Sequence, residues 1–171
     1  MFRDRLEAGE RLGAALSIFK EQRPLLIGLA RGGVPVAAAA ADLLDADLDT
    51  LVVRKIAPQG NREYGIGAIA PEGTVYFDPE GLQHTGLKPE ALRETIEEER
   101  REMQRRIEVY RGGKPAPKVA GRLVILIDDG LATGATAVAA IRYIRTLKPS
   151  GVIFAVPVLS GAALKAVERE A

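Results

Sequence analysis

Short apolar runs alternate along the chain with segments whose apolar positions recur at helical spacing. The runs predict buried strands at 24–29, 50–56, 122–128 and 151–158. The helical spacing predicts helices at 2–22, 36–44 and 135–147 and another that begins near residue 160. Strands that alternate with helices in this way favour right-handed βαβ units and a parallel sheet covered on both faces. The pattern therefore predicts an α/β fold.

The middle of the chain departs from this alternation. Residues 57–66 are polar and rich in Gly and Pro, which predicts a loop, and a hairpin is predicted to follow it around Pro71-Glu72-Gly73. Residues 89–111 carry thirteen charges, seven acidic and six basic, and only a narrow apolar stripe. This stripe consists of Leu92, Ile96, Met103, Ile107 and Tyr110. We predict a solvated helical insert over about 88–111 that rests one edge on the body; an oligomer contact or a nucleic-acid arm is the alternative.

Composition narrows the possible chemistry. The chain has 171 residues, 47% of them hydrophobic, which predicts a single domain over 1–171. It has no Cys and one His, so thiolate catalysis, disulfides, Cys-ligated metals and multi-His metal sites are excluded. That histidine, His84, is predicted to lie in a loop. A net charge of +1 argues against a nucleic-acid or membrane partner, and with no signal-like or 18-residue apolar segment we expect a cytoplasmic protein.

Three segments are predicted to leave the carboxyl ends of parallel strands, where ligands bind in such sheets: Ala30–Pro35, Ala57–Ile66 and Asp128–Thr136. In the third, two carboxylates precede Thr133-Gly134-Ala135-Thr136 at the start of a helix. Amides at a helix start, a Gly and two hydroxyls make a cradle for a phosphate dianion. The acids would repel that phosphate, so they must face hydroxyls, a metal or developing positive charge on the same ligand. A phosphorylated sugar meets both demands.

The segment VILIDDGLATGAT resembles the phosphoribosyl-diphosphate (PRPP) signature of the type I phosphoribosyltransferases. Gly130 departs from the signature, which usually has a branched apolar residue there. Ala30–Gly33 is similar to the family's pyrophosphate loop, and residues 57–66 correspond to the loop that closes over PRPP. The resemblance covers roughly residues 24–158 and is nearest to a group known only as predicted phosphoribosyltransferases. No G-x-G-x-x-G or P-loop motif offers a different nucleotide site.

The resemblance implies a Rossmann-like parallel sheet with a small hood, and roles for individual residues. Asp128 and Asp129 would hold the ribose hydroxyls directly or through Mg²⁺, which would be bound mainly by PRPP and not directly by the protein. The 5′-phosphate would be bound by Ala132, Thr133, Gly134, Ala135 and Thr136. The leaving diphosphate would be bound by Arg31, Gly32, Gly33, Arg54 and Lys55, although Arg54 and Lys55 are equally compatible with a solvated strand end.

The implied activity is Mg²⁺-dependent transfer of phosphoribose from PRPP to a nitrogen nucleophile, with a nucleobase as the expected acceptor and a homodimer as a possible assembly. A non-catalytic sensor of PRPP or nucleotides on the same fold is the main alternative. A hydrolase or phosphatase acting on a phosphosugar is a third possibility. Nothing in the sequence identifies the base, since the candidate hood segments (1–22, 71–87, the charged insert and the C-terminal tail) carry no recognisable pattern.

Overall fold

The computed structural model describes residues 2–58, 60–61 and 64–170. In these ranges the strands are β1 (Leu25–Leu29), β2 (Asp47–Leu51), β3 (Arg54–Ile56), β4 (Gly67–Ile69), β5 (Val75–Phe77), β6 (Leu123–Ile127) and β7 (Gly151–Ala155). The α-helices are α1 (Arg5–Ala15), α2 (Gly33–Leu44), α3 (Pro79–Thr85), α4 (Arg93–Arg111), α5 (Ala135–Thr146) and α6 (Gly161–Glu168). Short 3₁₀ segments lie at Leu16–Gln22, Pro71–Gly73 and Pro89–Leu92.

Strands β2, β1, β6 and β7 form a parallel sheet in that order, which confirms the predicted α/β class. Successive side chains of a strand point to opposite faces. Accordingly Leu25 and Ile27 of β1 pack in one buried cluster with α5, while Leu26 packs in another with α2. Each fully buried Leu or Ile contributes about 1.5–3 kcal/mol. The central strands are therefore held from both faces, and their carboxyl ends are fixed in place.

Helix α1 is held tightly against α2 by two glycines. A Cβ at Gly9 would lie 2.5 Å from the carbonyl oxygen of Val36, and one at Gly13 would lie 3.0 Å from Cα of Ala40. Only a residue without a side chain permits this approach. Because α2 starts at the end of β1, this packing also fixes the first turn of α1 relative to the sheet.

The prediction of one strand over 50–56 is wrong. Leu29 of β1 pairs with Leu51, so the chain has no partner in the parallel sheet beyond that residue. It leaves the sheet, and Arg54–Ile56 forms β3 of a second, antiparallel sheet in the order β3, β4, β5. The segment at 57–66 therefore connects two antiparallel strands and does not leave the carboxyl end of a parallel strand. Gln59, Arg62 and Glu63 of that segment lie outside the described residues.

The hairpin around Pro71–Gly73 is confirmed as β4 and β5, and the helix within 89–111 is confirmed as α4. Leu92 and Met103 are buried against Ile56 and Ile69 of the second sheet and against Ile66, which directly precedes β4, whereas Tyr110 is exposed. His84 was predicted in a loop but lies in the last turn of α3, exposed, with its ring 5.7 Å from that of Tyr64. In the described part of the chain, no helix is long and apolar enough to cross a membrane.

Candidate functional site

The pairing of β1 with β6 brings two of the predicted segments together. Gly28 lies opposite Ile127, so the residues that follow each strand meet at the same edge of the sheet. A Cβ at Gly33 would lie 2.9 Å from Cα of Asp128 and closer still to the carbonyl oxygen of Ile127. A Cβ at Gly32 would overlap the carboxylate of Asp129. The glycines of the Arg31–Gly33 loop are therefore required where this loop passes the acid pair.

Asp128 and Asp129 are both half-buried, and burial shifts the pKa of Asp128. Burial, and to a smaller extent the neighbouring Asp129 carboxylate, raise the pKa of Asp128 to about 7 from its ordinary value of 3.8. Its Oδ1 accepts a hydrogen bond of 2.9 Å from the backbone N–H of Asp129, which opposes that rise. A carboxyl group with such a pKa is protonated in part at neutral pH. It would be favoured in its ionised form by a cation or by hydroxyl donors placed beside it.

Asp129 has a partner that the sequence analysis missed. Both Nε and Nη2 of Arg5 donate to Oδ2 of Asp129, at 2.9 and 2.7 Å. Arg5 lies in the first turn of α1, directly after Asp4, whose side chain accepts from the N–H of Glu7 and caps the helix. No local pattern links residues 124 positions apart. The spacing of Gly9 and Gly13 is the one sequence signal for the α1 packing that places Arg5 here.

The predicted phosphate cradle lies at the start of α5. Gly134 is the N-cap residue with φ of 83°, a left-handed conformation that favours glycine, and a Cβ there would lie 3.0 Å from Cβ of Ala166. Among the described residues, no side chain caps α5, and the same holds for α2 and α4, whereas Asp4, Asp78 and Ser160 cap α1, α3 and α6. The first N–H groups of α5 thus keep the positive end of the helix dipole available to an anion.

The segment between β7 and α6 also supports the cradle, which the sequence did not predict. The hydroxyl of Ser160 donates to the carbonyl oxygen of Ala132 at 2.5 Å, and the N–H of Leu131 donates to the carbonyl oxygen of Val158 at 3.0 Å. Ala132 and Thr133 are exposed, Ala135 is buried and Thr136 is half-buried. The loop before α5 is therefore held by the segment between β7 and α6 while its outer face stays open.

The predicted basic residues are divided between two places. Arg31 is exposed in the loop beside the acids, and the Ala30–Arg31 peptide bond is cis. Arg54 instead donates through Nε to Oε2 of Glu99 in α4, at 2.7 Å. With Lys55 it lines a separate cleft against α4, which we name the α4 cleft and whose other walls include Pro58, Thr95, Glu98 and Glu99. The structure brings Arg31, Gly32 and Gly33 to the acid pair and places Arg54 and Lys55 in the α4 cleft.

The carboxylates of Asp128 and Asp129 could bind Mg²⁺ only together with ligand atoms from outside the protein. No group of three or more His, Cys, Asp or Glu side chains within residues 2–58, 60–61 and 64–170 is arranged to hold a metal. Asp128 and Asp129 supply carboxylate oxygens, and Mg²⁺ commonly binds one or two carboxylates together with substrate phosphates. The residues are therefore compatible with a Mg²⁺ ion that arrives with a diphosphate ligand and incompatible with a cage built by the protein alone.

The chain belongs to the phosphoribosyl transferase domain family, whose model matches residues 10–170. This membership confirms the resemblance seen in the sequence. A protein of Mycobacterium tuberculosis named "Putative phosphoribosyl transferase" is 37% identical over 158 residues, which are 92% of this chain and 36% of that protein. The chain thus spans about a third of the length of the curated relatives it matches.

Solved structures agree with the fold. The crystal structure of TT1426 from Thermus thermophilus has a TM-score of 0.79 and 36% identity, and the match covers 99% of this chain and 81% of that one. A purine phosphoribosyltransferase from Pyrococcus horikoshii has a TM-score of 0.51 at 17% identity, with coverage of 91% and 74%. The second likeness bears on the fold alone, and together the two confirm the type I phosphoribosyltransferase fold.

Proposed function

We propose that the protein transfers the 5-phosphoribosyl group of PRPP to a nitrogen atom of a nucleobase and releases diphosphate, in a Mg²⁺-dependent reaction. The observation that carries this proposal is the position of the two acids beside the uncapped start of α5. A ligand that fills both places must present a phosphate to the helix and hydroxyls or positive charge to Asp128 and Asp129. Phosphoribose has both groups on one small ring.

In this proposal each predicted residue keeps its role. Amides and hydroxyls of Ala132 to Thr136 bind the 5′-phosphate, and Asp128 and Asp129 accept hydrogen bonds from the ribose hydroxyls. The loop Arg31, Gly32 and Gly33 binds the diphosphate. Arg54 and Lys55 add to the binding of the diphosphate. Because Arg54 is paired with Glu99, we expect it to contribute less than the Arg31–Gly33 loop.

The reaction forms a C1–N bond while the C1–O bond to diphosphate breaks. The diphosphate leaves with the electron pair of that bond, and the attacking nitrogen gives up its proton to solvent. Positive charge develops on the ribose ring, close to the carboxylates of Asp128 and Asp129, and negative charge develops on the leaving group, close to Arg31 and the loop amides. Fixed charges at both ends of the breaking bond stabilise the transition state without reorganisation.

The proposed Mg²⁺ would be held by diphosphate oxygens with Asp128 and Asp129 nearby. When bound, it supplies positive charge that neutralises the leaving group. The pKa of Asp128 bears on this role, because a group that is protonated in part at neutral pH becomes a full acceptor once a cation or donor hydroxyls lie beside it. Asp128 thus becomes fully ionised when the ligand binds beside it.

The experiment is a measurement of diphosphate release from PRPP with Mg²⁺ and a panel of nucleobases. We expect release that depends on one class of base and yields the corresponding nucleotide. PRPP binding without release would instead indicate the regulator that senses PRPP, and release without any base would indicate a hydrolase. Either result would contradict the transferase proposal.

Several expectations from the sequence stay predictions. They are a single domain over 1–171, a cytoplasmic location, a possible homodimer and the absence of nucleic-acid and membrane partners. Size-exclusion chromatography with light scattering measures the assembly directly.

A further inference from the structure

We propose that the acceptor base occupies an open cleft between the first turn of α1 and the segment after β7, and that Arg5 selects bases carrying an exocyclic oxygen. The inference rests on the proposed transferase function, which it extends to the acceptor. We call this space the acceptor cleft. It has a volume of about 950 Å³, within the range of small-molecule sites.

The walls of the acceptor cleft suit a flat ring. Phe2 and Leu6 line it on one side, and Pro157 and Val158 line it on the other. Leu6 is 60% exposed and Val158 is 58% exposed, unusually open for large apolar side chains that share a concave surface. Burial of such surface against an aromatic heterocycle is favourable, and it needs no change in the strands that hold Asp129.

The position of the acceptor cleft relative to the acids matches what the reaction requires. Asp129 belongs both to its lining and to the acid pair proposed for the ribose. The diphosphate is assigned to the Arg31–Gly33 loop, which passes the same carboxylate at Gly32. A base in the acceptor cleft would therefore lie beside the ribose, within reach of C1. The α4 cleft does not include either acid in its lining.

Arg5 provides the polar selection. Its guanidinium has five N–H donors and no acceptor. It can therefore donate to a carbonyl or carboxylate oxygen of the base, and it cannot accept a hydrogen bond from an exocyclic amino group. Two of these groups already donate to Oδ2 of Asp129, and this pairing holds the guanidinium in the lining of the acceptor cleft. The remaining charged residue of the lining, Asp4, is engaged in capping α1. Where the exocyclic group of the base faces Arg5, an oxygen accepts a hydrogen bond and an amino group cannot, so we expect selection for oxo over amino bases.

The primary experiment compares Arg5→Ala with Arg3→Ala. Arg3 is 84% exposed in its side chain, pairs with Glu7 and does not line the cleft, so it is a matched control. In the wild type we expect kcat/KM for an oxo base (hypoxanthine, xanthine or uracil) at least tenfold above that for adenine. Arg5→Ala should raise the KM for the oxo base at least tenfold and change the Kd of PRPP less than twofold, while Arg3→Ala changes neither.

A binding measurement tests the same selection without turnover. Inosine 5′-monophosphate and adenosine 5′-monophosphate differ in the exocyclic group at C6, and calorimetry should show tighter binding of the first, a preference that is lost in Arg5→Ala. If turnover is absent but this preference holds, the transferase proposal fails and the acceptor cleft stands. If turnover occurs but Arg5→Ala behaves as Arg3→Ala, the inference about Arg5 is overturned. An equal loss of PRPP and base affinity would also overturn it.

The apolar wall offers an independent variant. Val158→Asp places a charge in the acceptor cleft, and Val109→Asp makes the same change at a residue of α4 that is 63% exposed. We expect the KM for the base to rise at least tenfold in Val158→Asp only. Equal KM values in the two variants, with both proteins folded by circular dichroism, would place the acceptor elsewhere.

Discussion

The acid-pair site and the α4 cleft both contain charged residues that the sequence associated with PRPP, but they satisfy those charges differently. In the α4 cleft, Arg54 is already paired with Glu99 at 2.7 Å. Glu99 belongs to α4, an exposed helix along which acidic and basic residues are mixed. At the acid-pair site, Asp128 is half-buried and its pKa is raised to about 7, and the nearby start of α5 has no side-chain cap among the described residues. A carboxyl group with a raised pKa beside an uncapped helix start marks a binding site better than charge content does.

The rigidity of the two places differs as well. The acid-pair site follows β1 and β6, the central strands of a sheet buried on both faces. The α4 cleft lies beside β3, a strand of only three residues, and beside α4. The buried apolar side chains that anchor α4 are Met103 within the helix and Leu92 directly before it. Catalytic groups must be held in place before the reaction, which the first arrangement provides. The comparison predicts a ranking of substitution effects.

The largest expected effect is that of the double change Asp128→Asn and Asp129→Asn. It removes the negative charge beside the ribose while keeping the shape of both side chains. The rate of diphosphate release should fall at least about a hundredfold, as it does when a transition-state charge partner is lost. Asp42→Asn with Asp45→Asn, two exposed acids near the other end of α2, removes the same charge and should leave the rate unchanged. Equal rates in both double variants would contradict the role of the acids.

The next effect is that of a side chain at Gly33. Gly33→Val forces a Cβ against Ile127 and Asp128, and overpacking of this kind costs about 1–3 kcal/mol of unfolding free energy. The acids also move, so PRPP affinity should fall. The control is Gly130→Val, since a Cβ at Gly130 would lie 3.8 Å from the nearest atom, the carbonyl oxygen of Val158. Thermal denaturation and calorimetry with PRPP measure both effects, and similar losses in both variants would show that the loop at Gly33 is not constrained by the acids.

A smaller effect concerns pH. Because the pKa of Asp128 is raised to about 7, the folded protein binds this proton more tightly than the unfolded chain, where the pKa is near 3.8. This carboxyl group therefore lowers the free energy of unfolding as pH rises from about 4 to 7. Asp128→Asn has no proton to lose, so urea denaturation should show a gain in its stability relative to the wild type on going from pH 5 to pH 8. A constant difference between the two proteins would contradict the raised pKa.

The smallest effect is expected in the α4 cleft. Arg54→Ala breaks a half-buried ion pair with Glu99, and such pairs contribute about 0–1 kcal/mol near a surface. If PRPP binds, Arg54 exchanges its pair with Glu99 for one with the diphosphate, so its net contribution to binding should be about 1 kcal/mol at most, a rise of about fivefold in the Kd of PRPP. A rise larger than that caused by Gly33→Val would reverse the ranking and identify the α4 cleft as the main diphosphate site.

Local patterns predicted the parts of the fold that local physics determines. Apolar runs identified β1, β6 and β7, and the acids followed by Thr133 to Thr136 identified the start of α5. The split of residues 50–56 between two sheets was not predicted, since β-propensity continues through Val52 and Val53. The chain leaves the first sheet because β1 ends at Leu29, a property of the partner strand and not of the segment itself.

Contacts between distant segments explain the rest of the difference. Arg5 reaches Asp129, and Ser160 holds Ala132, through helix packing that no short motif encodes. The family resemblance placed Arg54 and Lys55 with the diphosphate, and the structure places both in the α4 cleft. The sequence thus predicted which contiguous segments meet at the acid pair, and it missed the side chains contributed by α1 and by the start of α6.

The most direct test of the account is a crystal structure of the protein with PRPP and Mg²⁺. We expect the 5′-phosphate at the amides of residues 132–136, the ribose hydroxyls within hydrogen-bond distance of Asp128 and Asp129, and the diphosphate at the Arg31–Gly33 loop. PRPP bound in the α4 cleft against Arg54 and Lys55, with the acid pair unchanged, would contradict the central claim.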